Sequence, residues 1–334
     1  MKNILFVGLG SIGQRHLRNL KKVSKRFCFF AIRKKRNSPL LNTKNKLVKK
    51  KFISNENDIK EINYKELKKY KIDTVFITNP SSKHLNTAIK FAKCGCNLFI
   101  EKPLSHNLQN LMQLKNIIIK KKIKCAVGFQ TRYDDLFKKI KKIIDINKYG
   151  NIVSAHIENR HFLPYHHKYE DYKLGYAARK ELGGGVILCF IHEIDYANSL
   201  FGEVNKISGD VSKKSSLKIN VEDYANFKII YNKESIKFPV YFNLDFIKKK
   251  ASRFCKIKFE KATLYWDLLL NKLVVKGKKQ FILKSKFRSR NELFLFQLKQ
   301  IEKAFTGNKQ PLSNFENGEK SLKVAMKIKK LQKS

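Results

Sequence analysis

No stretch of the 334 residues is apolar over anything like the ~20 positions that a bilayer-spanning helix requires, which points to a soluble, cytoplasmic protein. Cysteine is equally uninformative as a framework. The six thiols, Cys28, Cys94, Cys96, Cys125, Cys189 and Cys255, are scattered, and only the Cys94-Gly95-Cys96 pair is close-spaced. No second Cys or His pair accompanies it, so a zinc site is not expected and no metal is assigned. Proline is scarce, at six residues, and neither a Pro- or Ser-rich linker nor an internal repeat is visible. A secretory signal is not expected either, because three glycines interrupt the first apolar run and no small-residue cleavage site follows.

Acid is the scarcest class. Against 72 Lys and Arg stand only 27 Asp and Glu, a formal charge of +45. A charge of that size can mark a nucleic-acid partner. Here the excess is nearly all lysine, spread along the chain with abundant Ile, Asn, Phe and Tyr, whose codons are rich in A and T. Runs such as Lys34-Lys35-Arg36, Lys49-Lys50-Lys51 and Lys248-Lys249-Lys250 read as loops and turns, whereas phosphate-binding surfaces concentrate arginine and interleave aromatics. A solvated basic surface with no specific nucleic acid is the favoured reading, and a basic nucleic-acid-binding protein is the rival.

What is present begins at the first residues. Ile4 to Val7 form a short apolar run of the kind a doubly buried strand shows, and Gly8-Leu9-Gly10-Ser11-Ile12-Gly13 follows at once. Ile12, Leu17 and Leu20, separated by Gln14, Arg15, His16 and Arg18, then read as an amphipathic helix. Strand, glycine turn and helix are the context in which G-x-G-x-x-G binds a dinucleotide. Gly8 permits the turn, Gly10 lets a pyrophosphate approach the backbone, and Gly13 lets helix and strand pack closely. The helix N-terminus faces the phosphates.

Further strands are expected at 27–32, 74–78, 97–100 and 125–129, with helices carried by Leu85, Ala88, Ile89 and Ala92 and by Leu108, Leu111, Leu114 and Ile118. Alternating strands and helices imply a parallel sheet. Residues 34–51 read as a loop. After Gly150 the pattern changes. A helix over roughly 134–146 precedes a strand near 151–159, and a second helix begins at Gly183-Gly184-Gly185. Closely spaced strand-like runs follow at 204–211, 223–231, 237–246, 254–260 and 273–276, then two helices, the last carrying Val324, Ile328 and Leu331. The expected fold class is α/β: an N-terminal Rossmann-type parallel sheet over 1–130, then a C-terminal α+β domain over 131–334 with a largely antiparallel open sheet. The closing helix, about 315–332, is expected to pack back on the first domain.

Four stretches now combine: the glycine turn; Thr78-Asn79-Pro80 with His84; Glu101-Lys102-Pro103; and Gly183-Gly184-Gly185 leading to His192-Glu193-Ile194-Asp195. In order and spacing they resemble the Gfo/Idh/MocA oxidoreductases, two-domain enzymes that act on sugars and sugar derivatives with a nicotinamide cofactor. Val127 to Tyr133 is similar to that family's segment at the domain junction. Leu163-Pro164, Tyr169 to Tyr172 and Ala177 to Leu182 resemble members associated with surface-polysaccharide and sialic-acid-like sugar biosynthesis.

The resemblance implies roles. Lys102 lies at a strand's carboxyl end, where open parallel sheets place ligands, and a lysine beside a cationic nicotinamide has a lowered pKa. With His192, suited to proton transfer near neutral pH, it is the expected catalytic pair. Asp195 and Cys189, each three residues from His192, are its possible support. Many members place an aspartate one turn before this histidine, where Leu188 and Cys189 stand here. Either the relay shortens to Lys102 and His192, or the protein is a catalytically reduced paralogue that still binds cofactor and sugar. Gly8, Gly10, Ser11, Ile12, Gly13, Arg33, Thr78, Asn79, Pro80, His84, Glu101 and Lys102 are expected to bind the cofactor. Arg33 stands where an acidic residue normally receives the ribose of NAD, which favours NADP over NAD. Gln130, Arg132, Tyr165, His167 and Arg179 are expected to line the substrate pocket, Arg179 pairing with a carboxylate or phosphate. The expected function is NAD(P)-dependent hydride transfer at a secondary hydroxyl or keto carbon of a sugar or sugar nucleotide, in surface-glycan biosynthesis, with a homodimer or homotetramer expected.

Overall fold

The computed structural model describes residues 1–33, 39–42, 46–52 and 59–332. Lys34-Lys35-Arg36 lies outside the described residues. The chain divides into two compact units, Met1–Gly128 with Asn291–Glu319, and Phe129–Arg290 with Lys320–Ser334.

The first unit is built on the apolar run at the start of the chain. Strand β1 (Lys2–Val7) carries Ile4, Leu5, Phe6 and Val7, all buried, as a central strand covered on both faces must. The glycine turn leads into helix α1 (Ser11–Val23), then β2 (Phe27–Ile32). Residues expected as a loop contain instead a small antiparallel pair, β3 (Pro39–Leu41) and β4 (Leu47–Phe52). Gln14 holds this pair to α1: its side chain donates to the Pro39 carbonyl at 2.9 Å and accepts from the Leu41 N–H at 2.9 Å. A further strand, β5 (Ile59–Glu61), has too few residues to show periodicity. Then come β6 (Thr74–Ile77), α2 (His84–Lys93), β7 (Asn97–Ile100), α3 (Leu111–Lys121) and β8 (Cys125–Val127). Leu108 lies before α3 and is exposed, so it is not part of that helix's buried face.

The sheet order is β5-β2-β1-β6-β7-β8, with every pairing parallel. The chain leaves β1 in one direction and returns to β6 in the other, so a switch point lies at the carboxyl end of β1, beside the glycine turn. Phe6, Phe76 and Phe99 stack through the core at centroid separations of 5.1 and 4.7 Å. Each such ring, once buried, contributes about 1.5–3 kcal/mol.

The second unit opens with α4 (Asp135–Asp145), whose N-cap, Asp134, accepts from the Leu136 and Phe137 N–H groups. Strand β9 (Ile152–Arg160) precedes a loop and two short helices, α5 (Val186–Cys189) and α6 (Ile191–Phe201). Seven strands follow: β10 (Glu203–Ser212), β11 (Tyr224–Lys233), β12 (Ile236–Asp245), β13 (Ser252–Phe259), β14 (Thr263–Asp267), β15 (Lys272–Lys276) and β16 (Gln280–Lys284). The eight strands form one sheet in the order β10-β11-β12-β9-β13-β14-β15-β16, antiparallel except where β12 runs parallel to β9. Strands β14 and β16 are additions to the five expected runs.

Helix α7 (Arg290–Thr306) falls almost wholly within the first unit, where Phe294 lies edge-on to His16 at 5.7 Å. Helix α8 (Phe315–Lys329) closes the chain.

Candidate functional site

In the first unit the three glycines meet three different environments. Gly8 has φ +94°, and a Cβ there would stand 2.9 Å from the Asn79 backbone nitrogen. At Gly13 a Cβ would meet the Gly8 carbonyl oxygen at 2.7 Å. Turn and helix therefore require glycine at both places. Gly10 is different: it has an ordinary φ of −68°, and a Cβ on it would meet nothing within 4 Å. Nothing in the fold itself demands glycine there. The open space lies at the N-terminus of α1, where no side chain caps the helix, and that is the setting in which a phosphate is held. Ser11 and Ile12, the first two helical residues, are half-buried beside it.

Thr78 Oγ1 donates to the Gly8 carbonyl at 2.6 Å and so fixes the turn from the neighbouring strand. Asn79 donates to Thr87 Oγ1 at 3.0 Å, and its own Oδ1 is buried without a partner among the described residues. His84 plays a different part from the cofactor contact expected of it. Its ring is fully enclosed, with Nε2 2.8 Å from the Asn79 carbonyl and Nδ1 2.8 Å from the Pro103 carbonyl. Burial lowers its pKa, so the favoured neutral ring donates to one of the two. His84 thus clamps the Thr78-Asn79-Pro80 turn to the segment after Lys102.

Glu101 is likewise turned inward. Its carboxylate accepts from His16 Nε2 at 2.6 Å and from the Lys102 backbone N–H at 3.1 Å. Burial works to raise its pKa, but the His16 hydrogen bond and charge, aided by Lys102, prevail, and the carboxyl lies below its ordinary range. A Cβ at Gly128 would stand 3.0 Å from both carboxylate oxygens, so glycine there leaves room for them. Glu101 is a support for the Lys102 backbone rather than a surface for a ligand. Lys102 itself is half-buried just beyond the carboxyl end of β7. His16 went unrecognised in the sequence because its polar neighbours suggest a solvent face. Its spacing from Gly13, Leu17 and Leu20 is the signal that places it on the buried one.

Arg33 follows β2 and is ion-paired with Glu61 of β5. The Gly8 N–H donates to the Ile32 carbonyl at 3.1 Å, which sets Arg33 next to the glycine turn.

In the second unit, His192 lies near the start of α6 and packs edge-on against Phe129 at 5.7 Å. The two expected supports are placed differently from the sequence reading. Cys189 ends α5, and Phe190 separates the two helices, so Cys189 and His192 do not share one continuous helical face. Asp195 is fully buried and accepts from Arg132 Nε at 2.8 Å, Arg132 Nη2 at 3.0 Å and Ser321 Oγ at 2.9 Å. This forked pair accounts for both side chains, so Arg132 is a structural partner of Asp195 rather than a pocket-lining cation. Glu193, also buried, accepts from Arg253 Nε at 2.7 Å.

The remaining expected substrate residues each have their own local setting. Gln130 is buried, Tyr165 is exposed and lies against Phe162, His167 pairs with Glu170 at 2.8 Å, and Arg179 pairs with Glu181. The histidines that do converge are His161 and His166, 4.9 Å apart, with Phe190 5.4 Å from the first and 6.0 Å from the second. Burial, then Arg253 and Arg290, push His161 down to about 4. Neither residue was expected from the sequence, although His161 directly follows β9, at a strand end where ligand-contacting groups commonly sit. Among the described residues no His, Cys, Asp and Glu cluster is arranged to hold a metal, and no helix is long and apolar enough to cross a membrane.

Comparison with known proteins decides the family. Residues 2–129 match the model described as the oxidoreductase family, NAD-binding Rossmann fold, and residues 137–244 match the Gfo/Idh/MocA C-terminal domain. The chain belongs to the Gfo/Idh/MocA oxidoreductase family. Among curated relatives, it is 31% identical to scyllo-inositol 2-dehydrogenase (NAD(+)) of Bacillus subtilis over 44% of this chain and 40% of that protein. It is 28% identical to myo-inositol 2-dehydrogenase of Thermotoga maritima over 62% of this chain and 57% of that protein. The matched stretch is thus less than two thirds of either relative's length. A crystal structure of an NAD binding oxidoreductase from Klebsiella pneumoniae superposes with a TM-score of 0.79 at 17% identity, covering 99% of this chain and 96% of that one. Both Gfo/Idh/MocA layers, the parallel sheet and the mostly antiparallel one, are therefore present.

Proposed function

We propose that this protein is an NAD(P)-dependent dehydrogenase or reductase that acts on a secondary hydroxyl or keto carbon of a sugar-like ring, in the cytoplasm, as a homodimer or homotetramer. The observation that carries the reading is the open space at Gly10 beside two glycines that the fold itself requires. A dinucleotide fits this cradle: Gly10 and the uncapped start of α1 would hold the pyrophosphate, and the orphaned Asn79 Oδ1 is an acceptor in want of a donor. When bound, a nicotinamide cofactor supplies or accepts the hydride. The chain's own groups handle the proton. Lys102, whose backbone is fixed by Glu101 and through it by His16, would give a proton to the substrate oxygen as the ammonium or take one from the hydroxyl as the neutral amine, and His192 is the second proton-handling group.

Arg33 favours NADP over NAD. Inositols, on which the two curated relatives are named to act, are the first substrates to test. The narrower assignment to a sugar nucleotide of surface-glycan biosynthesis rests on the stretch from Leu163 to Leu182 alone. A catalytically reduced paralogue is favoured by one observation, that both α6 carboxylates near His192 are committed to arginines, Glu193 to Arg253 and Asp195 to Arg132. Incubating the protein with each oxidised cofactor and a panel of inositols, aldoses and sugar nucleotides tests the reading. Reduced nicotinamide should accumulate with at least one substrate; cofactor binding without turnover on any of them supports the reduced paralogue.

A further inference from the structure

Arg33 is enclosed by the protein although it follows the last residue of a strand. Its side chain is 2% exposed, whereas that of its partner Glu61 is 35% exposed. The pairing occupies Nη2, and Nε and Nη1 are buried without a hydrogen-bond partner among the described residues. Two unsatisfied guanidinium donors are costly unless something accepts from them. The pair sits next to the glycine turn on one side, through Gly8 N–H to Ile32 carbonyl, and on β5 on the other, where Glu61 is in register with Ala31.

We propose that Glu61 is a specificity-determining residue that limits how strongly Arg33 selects NADP over NAD. The inference rests on the dinucleotide reading above. A 2′-phosphate would be attracted by Arg33 and would accept from its free donors, but it would also face the Glu61 carboxylate, a like charge next to the same guanidinium. A ribose 2′-hydroxyl carries no charge; it can donate to Glu61 and accept from Arg33. The carboxylate therefore weakens the phosphorylated cofactor selectively and lets the site take both. The acidic residue that the end of β2 lacks is supplied from the edge strand instead.

The test is calorimetric titration of NADP and NAD into the wild type, Glu61→Gln, Arg33→Ala and the double variant, with melting temperatures to verify folding. Removing one charge-charge repulsion beside a charged hydrogen bond is expected to tighten NADP about tenfold in Glu61→Gln. NAD binding should stay the same or weaken slightly. Arg33→Ala should lose the NADP advantage, and adding Glu61→Gln to it should again shift the ratio of the two affinities towards NADP, because the repulsion acts on the phosphate itself. If Glu61→Gln fails to fold, Glu61→Asp, which keeps the charge on a shorter arm, should shift the ratio in the same direction by less. An unchanged ratio in Glu61→Gln, with or without Arg33, overturns the proposal while leaving the dinucleotide reading intact. Failure of the wild type to bind either cofactor overturns both.

Discussion

His16 and Glu101, eighty-five residues apart in the chain, share a buried hydrogen bond of 2.6 Å beneath the Glu101-Lys102-Pro103 turn. The ring is enclosed by Phe99 at 4.8 Å and Phe76 at 6.0 Å. Removing one member of such a pair strands the other. His16→Ala is expected to destabilise the protein by about 3–5 kcal/mol, read from denaturant unfolding. The pH dependence follows from the direction of the Glu101 shift. Its carboxyl is below the ordinary 4.5 when folded, so its contribution is complete above that value and is lost as pH falls through the folded one. Without His16, burial raises the Glu101 carboxyl, so the part of the acid destabilisation that Glu101 contributes below 4.5 should shrink or reverse in thermal melts of His16→Ala relative to the wild type. Coincident acid limbs would show that His16 does not hold Glu101 ionised.

His161 offers a second pH-dependent observable. Burial, Arg253 and Arg290 bring it from the ordinary 6.5 to about 4. A depressed histidine stabilises the fold above 6.5 and loses that contribution as pH falls from 6.5 through about 4. Its ring resonances, assigned by loss in His161→Gln, should be unmoved at pH 6 and titrate near 4. Titration close to 6.5 would mean that the pocket around Phe190 is open to water.

The proposed proton-handling groups are tested by substitution once a substrate is in hand. Lys102→Met keeps much of the stem and removes the charge, and turnover should fall about 10²- to 10⁴-fold, the usual worth of positioned proton transfer. His192→Asn should act similarly. Cofactor affinity should change little in His192→Asn. Unaltered turnover in both variants would refute the assignment.

What the sequence discloses of this site is what is local in it. The glycine turn and the Glu101-Lys102-Pro103 stretch are short segments whose neighbours define a strand and its exit, so their place in the parallel sheet can be read directly. Partners distant in sequence cannot. Asp195 lies one helical turn from His192 and looks like its support, yet Arg132, sixty-three residues away, holds it with a forked pair. Glu61 carries no local mark of its relation to Arg33, because only the pairing of β2 with β5 brings them together. Among the strands, Ile59–Glu61 is too short for a period, and Gln280–Lys284 is a largely exposed edge strand with little apolar alternation. The helix break at Phe190 was hidden for a different reason. Val186 to Phe201 is almost wholly buried, and a segment buried all round shows no stripe from which its continuity could be judged.

The central claim, that the first unit cradles a nicotinamide dinucleotide, is tested most directly at Gly10. Its backbone suits any residue, and a Cβ there meets nothing within 4 Å. Gly10→Val should therefore fold with the wild-type melting temperature while filling the space at the start of α1. Calorimetric titration of the variant with NAD and NADP should show binding weakened at least about a hundredfold, equivalent to about 2.7 kcal/mol. Affinity equal to the wild type's in a folded Gly10→Val would contradict the account.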